Sequence, residues 1–370
     1  MSFGIAGAGL LGRLLAWRLS RAGHAVTVFD PAADALPRFD GHGAAGFSAA
    51  GMLSPLAELD NATPAVALRG LRSIALWRDI VAQLPGPPAF AEHGSLMLAH
   101  RSDVGAAERV LARLNQHHLP GLAPPQRLDA AALAALEPAL SGIAHAWLLA
   151  GEAQIDAPPV MAALHSGAAG VRWHWQTRVM ELAAGALKVE GQDWQHFDAV
   201  FDVRGVGARP ALPVRGVRGE IVWLHAPGLA LQRPLRLLHP RHSIYIVPRP
   251  DDRVIVGASE IESEDRSPVS LQSAVELMAA AHSVLPGLAE ARVIRLDRNL
   301  RPALPDHEPV VDVRDGLVRI NGLFRHGWLL APALVEEALA TLLPPPLHST
   351  ALAHVPALGQ DALHPTRQVP

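Results

Sequence analysis

The sequence predicts a mixed α/β chain, and three observations carry that prediction. Ser2 to Ala6, Leu10 to Arg21 and Ala25 to Phe29 read as an apolar strand, a helix and a second buried strand. Val214 to Leu224, Leu235 to Leu238, Ser243 to Pro248 and Arg253 to Ala258 alternate or run apolar between turn residues, the pattern of an antiparallel sheet. Gly316 to Asn321, Gly322 to Gly327 and Leu329 to Leu342 then read as strand, turn and helix. The expected architecture is interleaved, with one domain assembled from several segments and a second inserted into it.

Within the opening unit, Gly7, Gly9 and Gly12 form G-x-G-x-x-G, with Ala8, Leu10 and Leu11 between them. Gly7 permits a tight turn, Gly9 lets backbone approach a pyrophosphate, and Gly12 lets helix and strand pack closely. The helix start offers free N–H donors and a positive dipole end to phosphates. Asp30 ends the second strand, where an acid accepts hydrogen bonds from a ribose 2′-hydroxyl. The pattern alone fits any Gly-rich turn; strand, helix, strand and acid together predict a dinucleotide site.

From Gly43 to Met52 the chain is almost all small residues, suited to backbone approaching a bulky planar ligand. Ala62 to Leu84 reads as an amphipathic helix stopped by Pro85-Gly-Pro-Pro88, and Gly94 to His100 as a strand. Helices follow at Ser102 to His118, Asp129 to Leu136 and Asp156 to Gly167, each opened by a capping residue, with two short strands between Leu140 and Asp156. Val171 to Leu182, Ala186 to Val189 and Phe197 to Asp202 read as strands, the last running into the Gly-rich turn Arg204 to Ala208, with Gly205 at its bend. A helix is expected over Leu271 to Val284 and a strand over Ala291 to Leu300, and residues 344–370 read as a loosely ordered tail.

Composition narrows the function classes. The 370 residues carry a formal charge of −3, with 18% charged residues and no basic stripe, so nucleic acid has no electrostatic footprint. No cysteine is present, which excludes disulfides, thiol chemistry and Cys–zinc sites and suits a reducing cytosol. Arg13 and Arg18 interrupt the apolar start, against a signal peptide, and no apolar run is long enough to span a membrane. His117-His118 lacks metal-ligand spacing, and Gly46 to Gly51 misses G-x-S-x-G by one residue, so metal and hydrolase chemistry are set aside.

Four motifs together resemble the flavin-dependent D-amino-acid oxidase superfamily, and most of all the glycine oxidases associated with thiamine biosynthesis. They are Gly7 to Gly12; Ser48-Ala-Ala-Gly51-Met-Leu53; Tyr245-Ile-Val-Pro-Arg249 with Val256-Gly-Ala258; and Leu300-Arg-Pro302 with Phe324-Arg-His-Gly-Trp-Leu-Leu-Ala-Pro332. The resemblance implies a Rossmann-like FAD-binding domain (residues 1–84, 140–212 and 296–343) and an inserted antiparallel-sheet substrate domain (85–139 and 213–295). It implies FAD on the first βαβ unit, contacts from Ser48, Ala49, Ala50, Gly51 and Met52, and the adenine edge near Val179. It places the backbone of Arg325, His326, Gly327, Trp328, Leu329 and Leu330, and the start of their helix, against the flavin, and it implies that Arg301 and the hydroxyl of Tyr245 clamp a substrate carboxylate. Arg supplies the bidentate fork that a carboxylate needs, and Tyr245 is the only tyrosine in the chain.

The implied reaction is oxidation of a small amino acid or amine by hydride transfer to flavin, with dioxygen as acceptor and no metal. The implied enzyme is cytoplasmic and admits a homo-oligomer. An amino-acid dehydrogenase feeding a quinone or protein acceptor, a non-catalytic flavin-binding subunit and a nicotinamide enzyme are the alternatives. Two departures from the family pattern bear on specificity. Gly46-Phe47 stands where a Ser or Thr is usual near the flavin phosphates, and Glu260 stands where an apolar residue is usual near the substrate. Facing the pocket, Glu260 would favour an amine-bearing substrate and oppose a second carboxylate.

Overall fold

The computed structural model describes residues 1–140, 142–239 and 243–343. The tail expected from Pro344 onward lies outside the described residues. A six-stranded sheet runs Val310–Arg314, Leu317–Asn321, Ala199–Asp202, Ser2–Ala6, Ala25–Phe29 and Arg172–His174. Its strands pair in parallel except at the Val310–Arg314 edge. Phe3, Ile5, Leu14, Leu15 and Trp17 are no more than 1% exposed, so the opening strand and helix form the centre of the main core.

A second, eight-stranded sheet holds the antiparallel segments expected from the middle of the chain. Its order is Arg292–Ala303, Arg215–His225, Arg253–Gly257, Ser243–Arg249, Leu235–Leu238, Ser95–Ala99, His145–Leu149 and Gln126–Leu128. The His145–Leu149 strand, expected with the nucleotide-side segments, belongs here because it pairs residue for residue with Ser95–Ala99. Val171 to Leu182 is two strands, Arg172–His174 and Val179–Ala183, because Gln176 takes φ +56° and breaks the run. The expected helix from Ser102 starts at Val104 after a short 3-10 turn, and Ser102 caps nothing.

Helices from both ends of the described chain lock together beside the site. Trp77, in the Pro64–Ala82 helix, donates its indole N–H to the Trp328 carbonyl at 2.7 Å, and the two rings lie 5.3 Å apart. Trp328 in turn donates to the Gly46 carbonyl at 3.0 Å. The start of the last helix, Gly327–Leu342, is thereby fixed to the glycine-rich segment near residue 46. Among the described residues no helix is long and apolar enough to cross a membrane.

Candidate active site

One cavity of about 1050 Å3 joins the two sheets. That is at the upper end of the roughly 300–1,000 Å3 of ligand pockets, large enough for an extended ligand plus a small one. At one end are Gly7, Ala8, Gly9, Leu10, Leu11 and Asp30; at the other are Tyr245, Glu260, Arg301 and Arg325. The segment Ser48 to Met52 lines the passage between them, and Val179, Gly205, Gly327 and Trp328 also contribute to its wall.

The glycine turn has the geometry its spacing predicts. Gly7 has φ +106°, and a Cβ there would come within 2.8 Å of the Val203 carbonyl oxygen. A Cβ at Gly12 would lie 1.8 Å from the Gly7 oxygen, so Gly12 serves close packing and does not line the cavity. Gly9 precedes the helix with no side-chain cap, so no capping side chain takes the first-turn N–H groups beside the cavity. Asp30 is more occupied than expected: it accepts from the Ala8 N–H at 2.6 Å and the Ala32 N–H at 2.8 Å. One carboxylate thus shapes the turn while lining the cavity, with acceptor capacity beyond these two bonds.

Two buried arginines brace this end, and sequence reasoning assigned neither to the site. Arg13 donates to the carbonyls of Ala8, Met161 and Ala35, at 2.9, 2.9 and 2.8 Å, and burial pushes its pKa down to about 10. Arg249 donates to the carbonyls of Ala50 and Ile155, holding the Ser48–Met52 segment, and burial likewise lowers it to about 10. A Cβ at Gly51 would lie 2.0 Å from the Ile155 oxygen, so the small residues here follow from backbone contact. Asn299 donates to the Gly43 carbonyl at 3.1 Å and to the Ser48 hydroxyl at 3.3 Å.

At the other end the second sheet supplies the polar groups. Burial raises the Tyr245 phenol against the pull of Arg301, Arg236, Arg325 and Arg249, so at neutral pH it is an O–H donor. Arg301 donates to the Ser259 carbonyl at 3.1 Å, leaving other N–H groups of its fork for a ligand. Two glycines make room for this pair. A Cβ at Gly219 would lie 2.5 Å from the Arg301 guanidinium, and one at Gly257 would lie 2.6 Å from the Tyr245 hydroxyl.

Glu58 and Arg236 complete the wall, and no motif pointed to either. Glu58 lies in a short 3-10 turn, Ala57–Asp60, anchored by the buried Leu56, Ala57 and Leu59 and by the Ala57 N–H bonded to Glu152. Its carboxylate lies 3.1 Å from Arg236, 3.8 Å from Arg325 and 3.3 Å from Nδ1 of His326. Burial raises the Glu58 pKa, but its cationic neighbours outweigh burial and hold it well below the usual carboxylate range. Burial lowers His326, so near neutral pH the two guanidiniums are its main counter-charges.

Glu260 lines the cavity, half-exposed, with its carboxylate 3.5 Å from Arg325. The condition set for it, that it face the pocket, is met, and it shares its charge with Arg325 there. Leu329 and Leu330 are 2% and 0% exposed in the main core, Leu329 beside Gly70, and neither side chain lines the cavity; His326 lies against Glu58 instead. They shape the start of the last helix from behind. The glycine cradle, the uncapped helix start and a cavity long enough to reach Tyr245 are what an FAD would need.

Comparison with known proteins agrees with this geometry. The sequence pattern of the FAD-dependent oxidoreductase (DAO) family matches residues 3–340. A Rhizobium etli protein assigned as the thiamine biosynthesis oxidoreductase ThiO is 38% identical over 339 residues, 91% of this chain and 95% of its own length. Glycine oxidase of Geobacillus kaustophilus is 28% identical over 361 residues, 89% of each chain. The crystal structure of that glycine oxidase superposes with a TM-score of 0.75 at 24% identity, covering 94% of this chain and 99% of the other. Iminodiacetate oxidase from Chelativorans sp. BNC1 superposes with a TM-score of 0.78 at 23% identity, covering 94% and 97%.

Proposed function

The chain belongs to the DAO family of FAD-dependent oxidoreductases, and on that premise we propose that it oxidatively deaminates a small amino acid of the glycine, sarcosine or D-amino-acid type. One observation carries the reading: the glycine turn suited to a dinucleotide and the Tyr245–Arg301 pair suited to a carboxylate line the same cavity. We also read the six-stranded sheet as the core of the FAD-binding part and the eight-stranded sheet as the core of the substrate-binding part.

Residues of this chain divide the work. The N–H groups of the first helix turn and Gly9 would hold the pyrophosphate, and Asp30 the ribose. The Ser48–Met52 segment, braced by Arg249 and Asn299, and the Gly327–Trp328 corner would confine the ring system. When bound, FAD would supply a two-electron acceptor for the hydride of the substrate α-carbon, with dioxygen as the final acceptor in our reading. Arg301 and the Tyr245 O–H orient the substrate by its carboxylate, the charge-assisted contacts that fix geometry before reaction. The apolar surroundings of Tyr245, including Ile221 and Val247, limit water around that carboxylate.

The test is a visible spectrum of the purified protein followed by anaerobic addition of glycine, sarcosine, D-alanine and D-proline. Flavin bands that bleach with one of them and return on admitting air support the reading. Bound flavin that none of these bleaches refutes the substrate class, and bleaching without rapid recolouring refutes dioxygen as the acceptor.

A further inference from the structure

The polar end of the cavity has an unusual charge inventory. Around Tyr245 its wall carries three guanidiniums, Arg236, Arg301 and Arg325, and two carboxylates, Glu58 and Glu260; Asp60, in the same turn as Glu58, also lines the cavity but is balanced by its ion pair with Arg113. Arg249, also near Tyr245, is turned to backbone carbonyls and lies 3.6 Å from Asp156, so it stands outside this balance. One positive charge is left over, which matches one substrate carboxylate. The pairing decides which charge that is. Glu260 lies 3.5 Å from Arg325, while Glu58 is hydrogen-bonded to Arg236 at 3.1 Å; Arg301 donates to the Ser259 carbonyl and feels Glu260 electrostatically without an ion pair to it among the described residues.

Arg236 is the residue whose role this leaves open. It lines the cavity in direct register with Tyr245 on the neighbouring strand, and its side chain is 15% exposed. Its Nε is buried without a hydrogen-bond partner, so the fork is only partly used. A guanidinium beside the substrate position, with donors to spare, is the group that would take a second carboxylate. Glu58 already sits where that carboxylate would bind.

We propose that Glu58 is a specificity-determining residue: it occupies Arg236 as a built-in carboxylate and restricts the cavity to substrates carrying a single carboxylate. The proposal rests on the reading of this cavity as an amino-acid site. A dicarboxylate entering the wild-type cavity meets Glu58 across Arg236 and is repelled; with Glu58 neutral, Arg236 is released to bind the second carboxylate.

The test compares acetate and malonate, neither of which can be deaminated, by their perturbation of the flavin absorption spectrum in the holoenzyme. Glu58→Gln keeps size and an acceptor oxygen but removes the charge. It is expected to raise malonate affinity relative to acetate by tenfold or more, and to raise kcat/KM for iminodiacetate relative to glycine in the same direction. Adding Arg236→Met to Glu58→Gln should abolish the gain. A malonate-to-acetate ratio within twofold of wild type overturns the proposal, as does a gain that survives Arg236→Met. Should Glu58→Gln fail to hold flavin, Arg236→Met alone carries the test. It strands the Glu58 charge on the wall and should weaken acetate binding tenfold or more, and an unchanged acetate affinity overturns the proposal. Wild-type flavin that responds to neither acetate nor glycine refutes the functional reading beneath it, whereas a normal wild-type response with unaltered variants refutes only the role of Glu58.

Discussion

Replacing Gly257 by alanine should disable the proposed carboxylate clamp without touching either Tyr245 or Arg301. Gly257 lies outside the left-handed region of φ, and the argument rests on the space around it. The added Cβ would lie 2.6 Å from the Tyr245 hydroxyl and ring carbon Cζ and 2.7 Å from a methyl of Ile221. With ordinary contacts near 3.5 Å, the phenol must retreat by about 0.8–1 Å. A hydrogen bond to a charged group is worth about 1.5–3 kcal/mol, so kcat/KM for the amino acid should fall by about 10- to 150-fold. The loss should appear mainly in KM, because the clamp holds ground state and transition state alike. Overpacking at this buried site should also lower stability by about 1–3 kcal/mol. Tyr245→Phe removes the hydroxyl without adding volume, and it should reproduce the KM effect with little of the stability loss. Steady-state kinetics and denaturant unfolding on the three proteins decide the matter. Gly257→Ala with kcat/KM within threefold of wild type would refute both the steric argument and the role of the Tyr245 hydroxyl.

Other perturbations follow from the same geometry. Arg301→Lys replaces a planar fork by a point charge at a half-buried position and should raise KM by about 10- to 150-fold, with acetate binding weakened in parallel. Trp328→Phe removes the indole bond to the Gly46 carbonyl; a net hydrogen bond of about 0.5–1.5 kcal/mol predicts a two- to tenfold weaker FAD affinity, read by flavin fluorescence titration. Asp297 is fully buried, and burial outweighs the pull of Ser48, Arg295 and Arg298, lifting its carboxyl from 3.8 to about 6. The folded state thus binds this proton more tightly than the unfolded chain, so its contribution is lost as pH rises from about 4 to 6. At about 1.4 kcal/mol per pKa unit, Asp297→Asn should stabilise the protein by up to about 3 kcal/mol at pH 7 and by little at pH 4. Equal effects at both pH values in denaturant unfolding would refute that assignment.

Local rules made the dinucleotide end of the site legible. Three glycines, a helix and an acid at fixed spacing predicted the turn because each acts on neighbours close in sequence, and Gly7, Gly12 and Asp30 all lie where that logic puts them. The strands from Leu235 to Gly257 were equally readable from alternation. Glu58, Arg236 and Arg249 were not, because each is brought to the cavity by partners distant in sequence. Glu58 meets Arg236 across 178 positions, and Arg249 meets Ala50 across 199. The Val310–Arg314 strand escaped for a different reason: it is a half-buried edge whose pattern carries no clear period. Gln176 broke an expected strand with a positive φ that its residue type does not announce.

The order in which the chain is made gives the six-stranded sheet a further consequence. Ala199–Asp202 is paired on one side with Ser2–Ala6 and on the other with Leu317–Asn321. At roughly 5–20 residues per second, about 15–60 s separate synthesis of the first strand from that of the last. Ala199–Asp202 itself is made about 115 residues before Leu317, so its free edge stands open for about 6–23 s of that interval, while the Gly46 carbonyl waits for Trp328. A nascent chain stopped short of Asn321 would have its glycine turn but an incomplete sheet, exposed to mispairing with other chains. Flavin retention would then be a late event in biogenesis, and a direct report that the two distant ends of the fold have met.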